Sequence, residues 1–188
     1  MQMVLLNNSL FSNNGSADKN CSRAIFLTDS TMREAYMHTA LTLAEEAASC
    51  DEVPVGCIIC NAAGEIIGTG RNRCLEKHDA TAHAEIEAIR QASNVMGDWR
   101  LDGCTLFVTL EPCPMCTGAI MNARIRTVVF GAKDPVKGAC GSVIDLFSES
   151  FPDKAAVYNG VLAEESSAVL SSFFDKVRNN QAVNSFVE

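Results

Sequence analysis

The chain has 188 residues, 47% of them apolar and 20% charged, with a net charge of −8. That supports one domain with a proper hydrophobic core and excludes a wholly disordered polypeptide. No run of 18 apolar residues occurs and the first residues carry no basic region, so neither a membrane span nor a secretory signal is expected, and the acidic balance argues against general nucleic-acid binding.

In chain order, residues 1–28 are rich in Asn and Ser, with one apolar stretch at 24–27, and predict a mobile polar extension. A first helix follows through about residue 49. Thr31 and Glu34 suggest a capping box, and Tyr36, Ala40, Leu43 or Ala44, and Ala47 recur on one face. Two apolar runs, 55–60 and 66–70, flank Asn61-Ala62-Ala63-Gly64 and predict a hairpin. A helix over 82–95, entered through Asp79 or Thr81, has Ile86, Ile89 and Ala92 facing inward. Residues 105–110 read as a buried strand stopped by Pro112, and 114–123 as a helix with proline in its first turn. A strand at 126–131, a short helix near 143–147, a strand at 156–161 and a final helix complete the pattern. In that last helix Leu162, Val169 or Leu170, Phe173 or Phe174, and Val177 fall at helical spacing. The order predicts a three-layer α/β/α domain with a mixed five-stranded sheet over 29–180, and a tail at 181–188.

The nine cysteines are odd in number, and a chain this long and apolar needs no stapling. A reducing, cytoplasmic compartment is expected, with Cys50, Cys57, Cys60, Cys74 and Cys104 as small buried hydrophobes. Cys57 and Cys60 form a second C-x-x-C, but in a strand positions i and i+3 point to opposite faces, which makes them core.

Two short patterns carry chemistry. His83-Ala84-Glu85 opens one predicted helix, and Pro112-Cys113-Pro114-Met115-Cys116 opens another directly after a buried strand. Taken singly, His-x-Glu is common by chance and a lone helix-start histidine is more often a packing or capping residue. Pro-Cys-x-x-Cys is far rarer, and the conjunction with His-x-Glu disfavours a redox pair. Two sulfurs separated by two intervening residues in a first helical turn converge on one ion, and the imidazole of His83 adds a third donor. Three protein ligands leave a position for water, where a structural zinc site is closed by a fourth. Glu85, two residues from His83, is a base that need not be a ligand. Glu111, ahead of a proline at a strand end, reads as structural. His38 and His78 have no companions at ligand spacing, and His78 reads as a loop residue near the mouth of the site.

The paired motifs resemble those of the zinc nucleobase deaminases in the cytidine deaminase-like superfamily. Within it, Thr81-Ala82-His83-Ala84-Glu85-Ile86, Thr109 through Ala119, Val128 through Asp134, Lys137 through Ser142 and Gly160 through Glu165 resemble the bacterial tRNA-specific adenosine deaminases. The likeness runs from about residue 32 to 178. It implies a cytidine deaminase-like fold, one Zn2+ per subunit, a homodimer, and hydrolysis of the wobble adenosine (position 34) of an arginine tRNA to inosine, the base being flipped out of the anticodon arm. By the same match Asn72 bonds the nucleoside, the Ala84 N–H orients the base and Asp134 contacts the RNA strand.

The basic residues near these motifs, Arg71, Arg73, Lys77, Lys133 and Lys137, then have a use against phosphates, where charge alone reads as solvated surface. The tail at 179–188 departs from the resemblance in lacking any base. Two rivals stay open: a deaminase of a free base or nucleoside such as guanine, which the acidic charge favours, and a non-catalytic zinc-stabilised binding module. An unliganded carboxylate beside the metal would serve no purpose in the latter.

Overall fold

A computed structural model describes the backbone of residues 29–184 and the side chains of 29–180. The expected N-terminal extension at 1–28 and the last residues of the expected tail, 185–188, lie outside the described residues. The chain runs α1 (Ser30–Ser49), β1 (Gly56–Cys60), β2 (Ile66–Arg71), α2 (Cys74–Lys77), α3 (Ala84–Met96), β3 (Thr105–Leu110), α4 (Pro114–Asn122), β4 (Thr127–Ala132), β5 (Ala156–Asn159) and α5 (Ala163–Asn184). The five strands form one sheet in the order β2-β1-β3-β4-β5. β1 is antiparallel to both β2 and β3, whereas β3–β4 and β4–β5 are parallel. β1 is therefore the one reversed strand, and β2, β3 and β4 end at the same edge of the sheet.

Both faces of the sheet are covered, which is why its strands read as near-continuous apolar runs. Ile58, Cys60, Phe107 and Val129 pack with Met37 and Ala40 of α1 on one face. Cys57, Ile59, Leu106, Val108, Val128 and Phe130 pack with Ala84, Ala88, Ala92 and Ile120 of α3 and α4 on the other. Cys57 and Cys60 thus separate to opposite layers, as the two-residue period of a strand requires. The expectation of buried cysteines fails at two positions. Cys50 is exposed at the C-terminus of α1, and Cys74 is half-buried at the start of α2.

The local signals differ in three places. α1 is capped by Asp29, whose Oδ1 accepts from the Thr31 N–H at 2.9 Å, instead of by a Thr31–Glu34 box. The helix starts two residues earlier and so places a stronger cap at its end. α2 has only four residues, too few to leave a periodic signal; its first N–H groups are met from a distance by buried Glu52, which accepts from Leu75 N and Glu76 N at 2.8 and 3.0 Å. No helix forms near 143–147. The chain turns instead through Gly141 (φ 126°) and a Cys140–Asp145 bridge: the Val143, Ile144 and Leu146 amides bond back to the carbonyls of Gly138 and Ala139, and Asp145 Oδ1 takes the Phe147 and Ser148 amides.

Glycine at two alternate positions of β2 lets α3 lie with its backbone directly on the strand. A Cβ at Gly70 would collide with the Ala84 carbonyl and the Ala88 amide, and one at Gly68 with the Ala88 carbonyl. The first turn of α3, which carries His83 and Glu85, is placed by this approach. Gly70→Ala is expected to cost about 1–3 kcal/mol through overpacking and to lower Tm by roughly 3–10 °C. A melting curve superimposable on that of the parent protein would contradict this placement.

Candidate active site

The parallel strands β2, β3 and β4 deliver Asn72, Cys113 and the 133–138 segment to one edge, the usual place for a site in such a sheet. His83 stands just before α3 in extended conformation (φ −75°, ψ 155°), and its side chain makes no capping bond. Neither Asp79 nor Thr81 caps α3. Asp79 Oδ1 accepts instead from the Thr81 N–H and hydroxyl at 2.8 and 2.7 Å, and the Thr81 carbonyl accepts from His83 N at 2.8 Å. The loop is thereby folded so that the imidazole turns inward.

There it meets the first turn of α4. Nδ1 of His83 lies 3.7 Å from Cys113 Sγ and 3.5 Å from Cys116 Sγ. All three donor atoms fall within 4.8 Å of one another. With usual zinc–sulfur and zinc–nitrogen bond lengths, a tetrahedral ion separates a nitrogen from a sulfur ligand by about 3.6 Å. The three side chains therefore fit zinc in the spacing of their atoms as well as in their chemistry. The Cys116 thiol and the His83 ring beside it hold the Cys113 thiol far below its ordinary range, at about 4. Cys116 is pushed up in turn, because its proton is held against Cys113 and the group is buried. His83 is raised by its bond to Cys113. A divalent cation fits in place of this shared proton, and the N-terminus of α4 adds its dipole in favour of thiolate.

Glu85 is 4% exposed and lines the cavity beside the three donors. Burial pushes its carboxyl up. The cavity has a volume of about 460 Å³ and is lined by His83, Glu85 and Cys113 together with Asn72, Val53 and Val55. Asn72 is 8% exposed; its backbone N–H bonds the Val55 carbonyl at 3.1 Å, and no side-chain hydrogen bond engages its amide among the described residues. Ala84 is buried as the first residue of α3, where an N–H has no intrahelical acceptor. Lys133, Asp134 and Lys137 form the rim with Pro135 and Val136. One oxygen of Asp134 is engaged in its own loop, accepting from Val136 N and Lys137 N at 2.9 and 3.0 Å.

The five basic residues are not equivalent. Arg71 and Arg73 both pair with Glu76, and Lys77 pairs with Glu87, which also holds Arg90. Lys133 and Lys137 are exposed and make no ion pair among the described residues. His78 caps α2 in left-handed conformation and does not line the cavity. Leu170 and Phe174 of α5 complete the wall. The sequence reading missed both, since residues four apart on one helix face look the same whether they border a core or a cavity.

The description of the cytidine and deoxycytidylate deaminase zinc-binding region matches residues 30–132. The tRNA-specific adenosine deaminase of Bacillus subtilis is 44% identical over 149 residues, covering 79% of this chain and 92% of that protein. The tRNA(Ile)-lysidine synthase of Deinococcus radiodurans is 47% identical over 148 residues, but the chain spans only a quarter of its length, and under a third of its Deinococcus deserti counterpart. A structure from studies of A-to-I editing by tRNA:A34 deaminases at the wobble position superimposes with a TM-score of 0.69 at 43% identity, over 72% of this chain and 99% of its own. The guanine deaminase of Nitrosomonas europaea superimposes at 0.67 with 25% identity, over 74% and 83%.

Proposed function

We propose that this chain, which belongs to the cytidine and deoxycytidylate deaminase family and within it to the tRNA-specific adenosine deaminases, hydrolyses the wobble adenosine, position 34, of an arginine tRNA to inosine and ammonia. His83, Cys113 and Cys116 would hold one zinc ion per subunit. Bound there, zinc supplies Lewis-acid activation of a water molecule. Glu85, buried beside the donors, takes a proton from the attacking water and returns protons to the ring nitrogen and to the departing amine. The Ala84 N–H and the unengaged amide of Asn72 orient the purine, and the second carboxylate oxygen of Asp134 is left to meet the RNA strand. A base flipped from the anticodon loop enters past Lys133 and Lys137.

The observation that carries the RNA reading over a free base is this rim. In a chain of net charge −8, two exposed lysines that no described acid neutralises stand together at the mouth of the cavity. Arg71, Arg73 and Lys77 can meet phosphates only by leaving Glu76 and Glu87. Lys133→Ala and Lys137→Ala should each weaken binding of an anticodon stem-loop and reduce the slope of log K against log salt by about 1. Arg73→Ala should leave that slope close to its parent value. Fluorescence anisotropy over a salt series measures both, and equal slopes for all three variants would sink the assignment.

The homodimer belongs to the same reading. Exposed Val143 and Ile144, in the segment that fails to form a helix, and exposed Phe151 beyond it support a surface covered by a second copy. Substrate class is tested by incubating zinc-loaded protein with a stem-loop carrying ACG, and separately with guanine, cytosine and adenosine, while inosine and ammonia are followed. Ammonia from guanine with no inosine in the RNA would favour the free-base reading, which the Nitrosomonas likeness supports. No turnover of any substrate would favour a zinc-stabilised binding module.

A further inference from the structure

Between the metal-binding turn and the lysine-bearing loop lies a carboxylate for which the deamination chemistry has no use. Glu111 follows β3, two residues before Cys113, and is buried where it lines the cavity. Four donors converge on it. The Asp134 N–H reaches Oε2 at 3.1 Å, the Cys140 and Ser142 N–H groups reach Oε1 at 3.0 Å each, and the Ser142 hydroxyl also bonds Oε2. All four come from one segment, 134–142. One backbone bond lashes the same segment to the same strand end, Ala139 N to the Pro112 carbonyl at 2.9 Å, and Glu111 N bonds the carbonyl of Ala132, the last residue of β4, also at 2.9 Å. Gly138 sits so close that a Cβ there would collide with the carboxylate.

No lysine or arginine pairs with Glu111 among the described residues, so its charge is met by these four donors alone. Hydrogen bonds to an ionised acceptor are the strong ones. The segment they hold contains no helix and only one bridge, and its backbone freedom is otherwise costly to fix. A glutamine at 111 would keep the shape but offer one acceptor oxygen, and its amide would face N–H groups that also donate.

We propose that Glu111 is a positioning residue for substrate recognition: it holds the 133–142 loop against the metal-bearing end of β3, so that Lys133, Asp134 and Lys137 face the cavity mouth. This rests on the reading of that cavity as the site of an RNA-borne nucleoside. Its effect falls on KM, through the loop, and spares both the metal and the chemical step.

The full chain, zinc-loaded, is compared with Glu111→Gln and Ser142→Ala by zinc content, by steady-state deamination of the ACG stem-loop and by amide hydrogen exchange. Glu111→Gln should keep its zinc, raise KM about tenfold or more and leave kcat within about threefold. Exchange should quicken by about a hundredfold in 134–142 and stay unchanged in α3 and α4. Ser142→Ala, which removes a single donor, should raise KM about two- to threefold with zinc intact. An unchanged KM, or a joint loss of zinc and kcat, overturns the proposal. Should Glu111→Gln fail to fold, Ser142→Ala decides by the same criteria. Should the parent protein leave the stem-loop unreacted, the functional reading fails, and exchange still decides the anchoring: quickening confined to 134–142 supports it, and uniform quickening overturns it.

Discussion

Glu85→Gln is expected to lower kcat by about a thousandfold or more while the protein keeps its zinc, since a positioned proton-transfer group contributes about 10²–10⁴. The substitution keeps the size and shape of the side chain and removes its capacity to take a proton. Glu85 lies in the first turn of α3, where Gly70 lets the helix sit on β2, and it is buried beside the His83–Cys113–Cys116 cluster. In that position burial raises the carboxyl of Glu85, as suits a group that must hold and release a proton. Metal analysis together with single-turnover kinetics checks the prediction. Near-parental turnover would remove Glu85 from the mechanism, whereas loss of zinc in the variant would make it a structural partner of the ligands.

Cys116→Ala is expected to reduce bound zinc from about one ion per chain to near none and to bring activity to background. Cys116 is buried at the third position of α4, with its Sγ 3.5 Å from His83 Nδ1, and no other described side chain completes the donor set. A chelator should have the same effect on the parent protein, reversed by adding zinc back. Zinc that binds the folded state alone adds about 4 kcal/mol at a thousandfold excess over Kd, so the parent should also lose thermal stability on chelation and the variant should not. Equal chelator sensitivity of the two melting curves would contradict the assignment.

Much of this site was legible because its chemistry is local in sequence. His83 and Glu85 lie two residues apart, Cys113 and Cys116 three, and each pair occupies a first helical turn after an extended segment, so spacing alone declares convergence. Strand faces were legible for the same reason: alternation alone puts Cys57 and Cys60 on opposite faces of β1. What stayed hidden depends on distant partners. Lys77 and Glu87 are ten residues apart and meet only in the fold, so the basic stretch at 71–77 reads as free charge when it is paired. Glu52 caps α2 from 23 residues upstream. The glutamate at 111 could be recognised as structural, but not as the acceptor for a loop 23 to 31 residues later. Leu170 and Phe174 satisfy the helical period equally well as core or as cavity wall, and Phe174 stays 41% exposed.

The most direct test of hydrolytic deamination of the wobble adenosine at this centre is mass analysis of an ACG anticodon stem-loop after incubation with the zinc-loaded protein in water enriched in heavy oxygen. Inosine at position 34 carrying one heavy oxygen atom, with release of one ammonia and neither product formed by Glu85→Gln, is the predicted result. A stem-loop returned unchanged by protein that releases ammonia from guanine would contradict it.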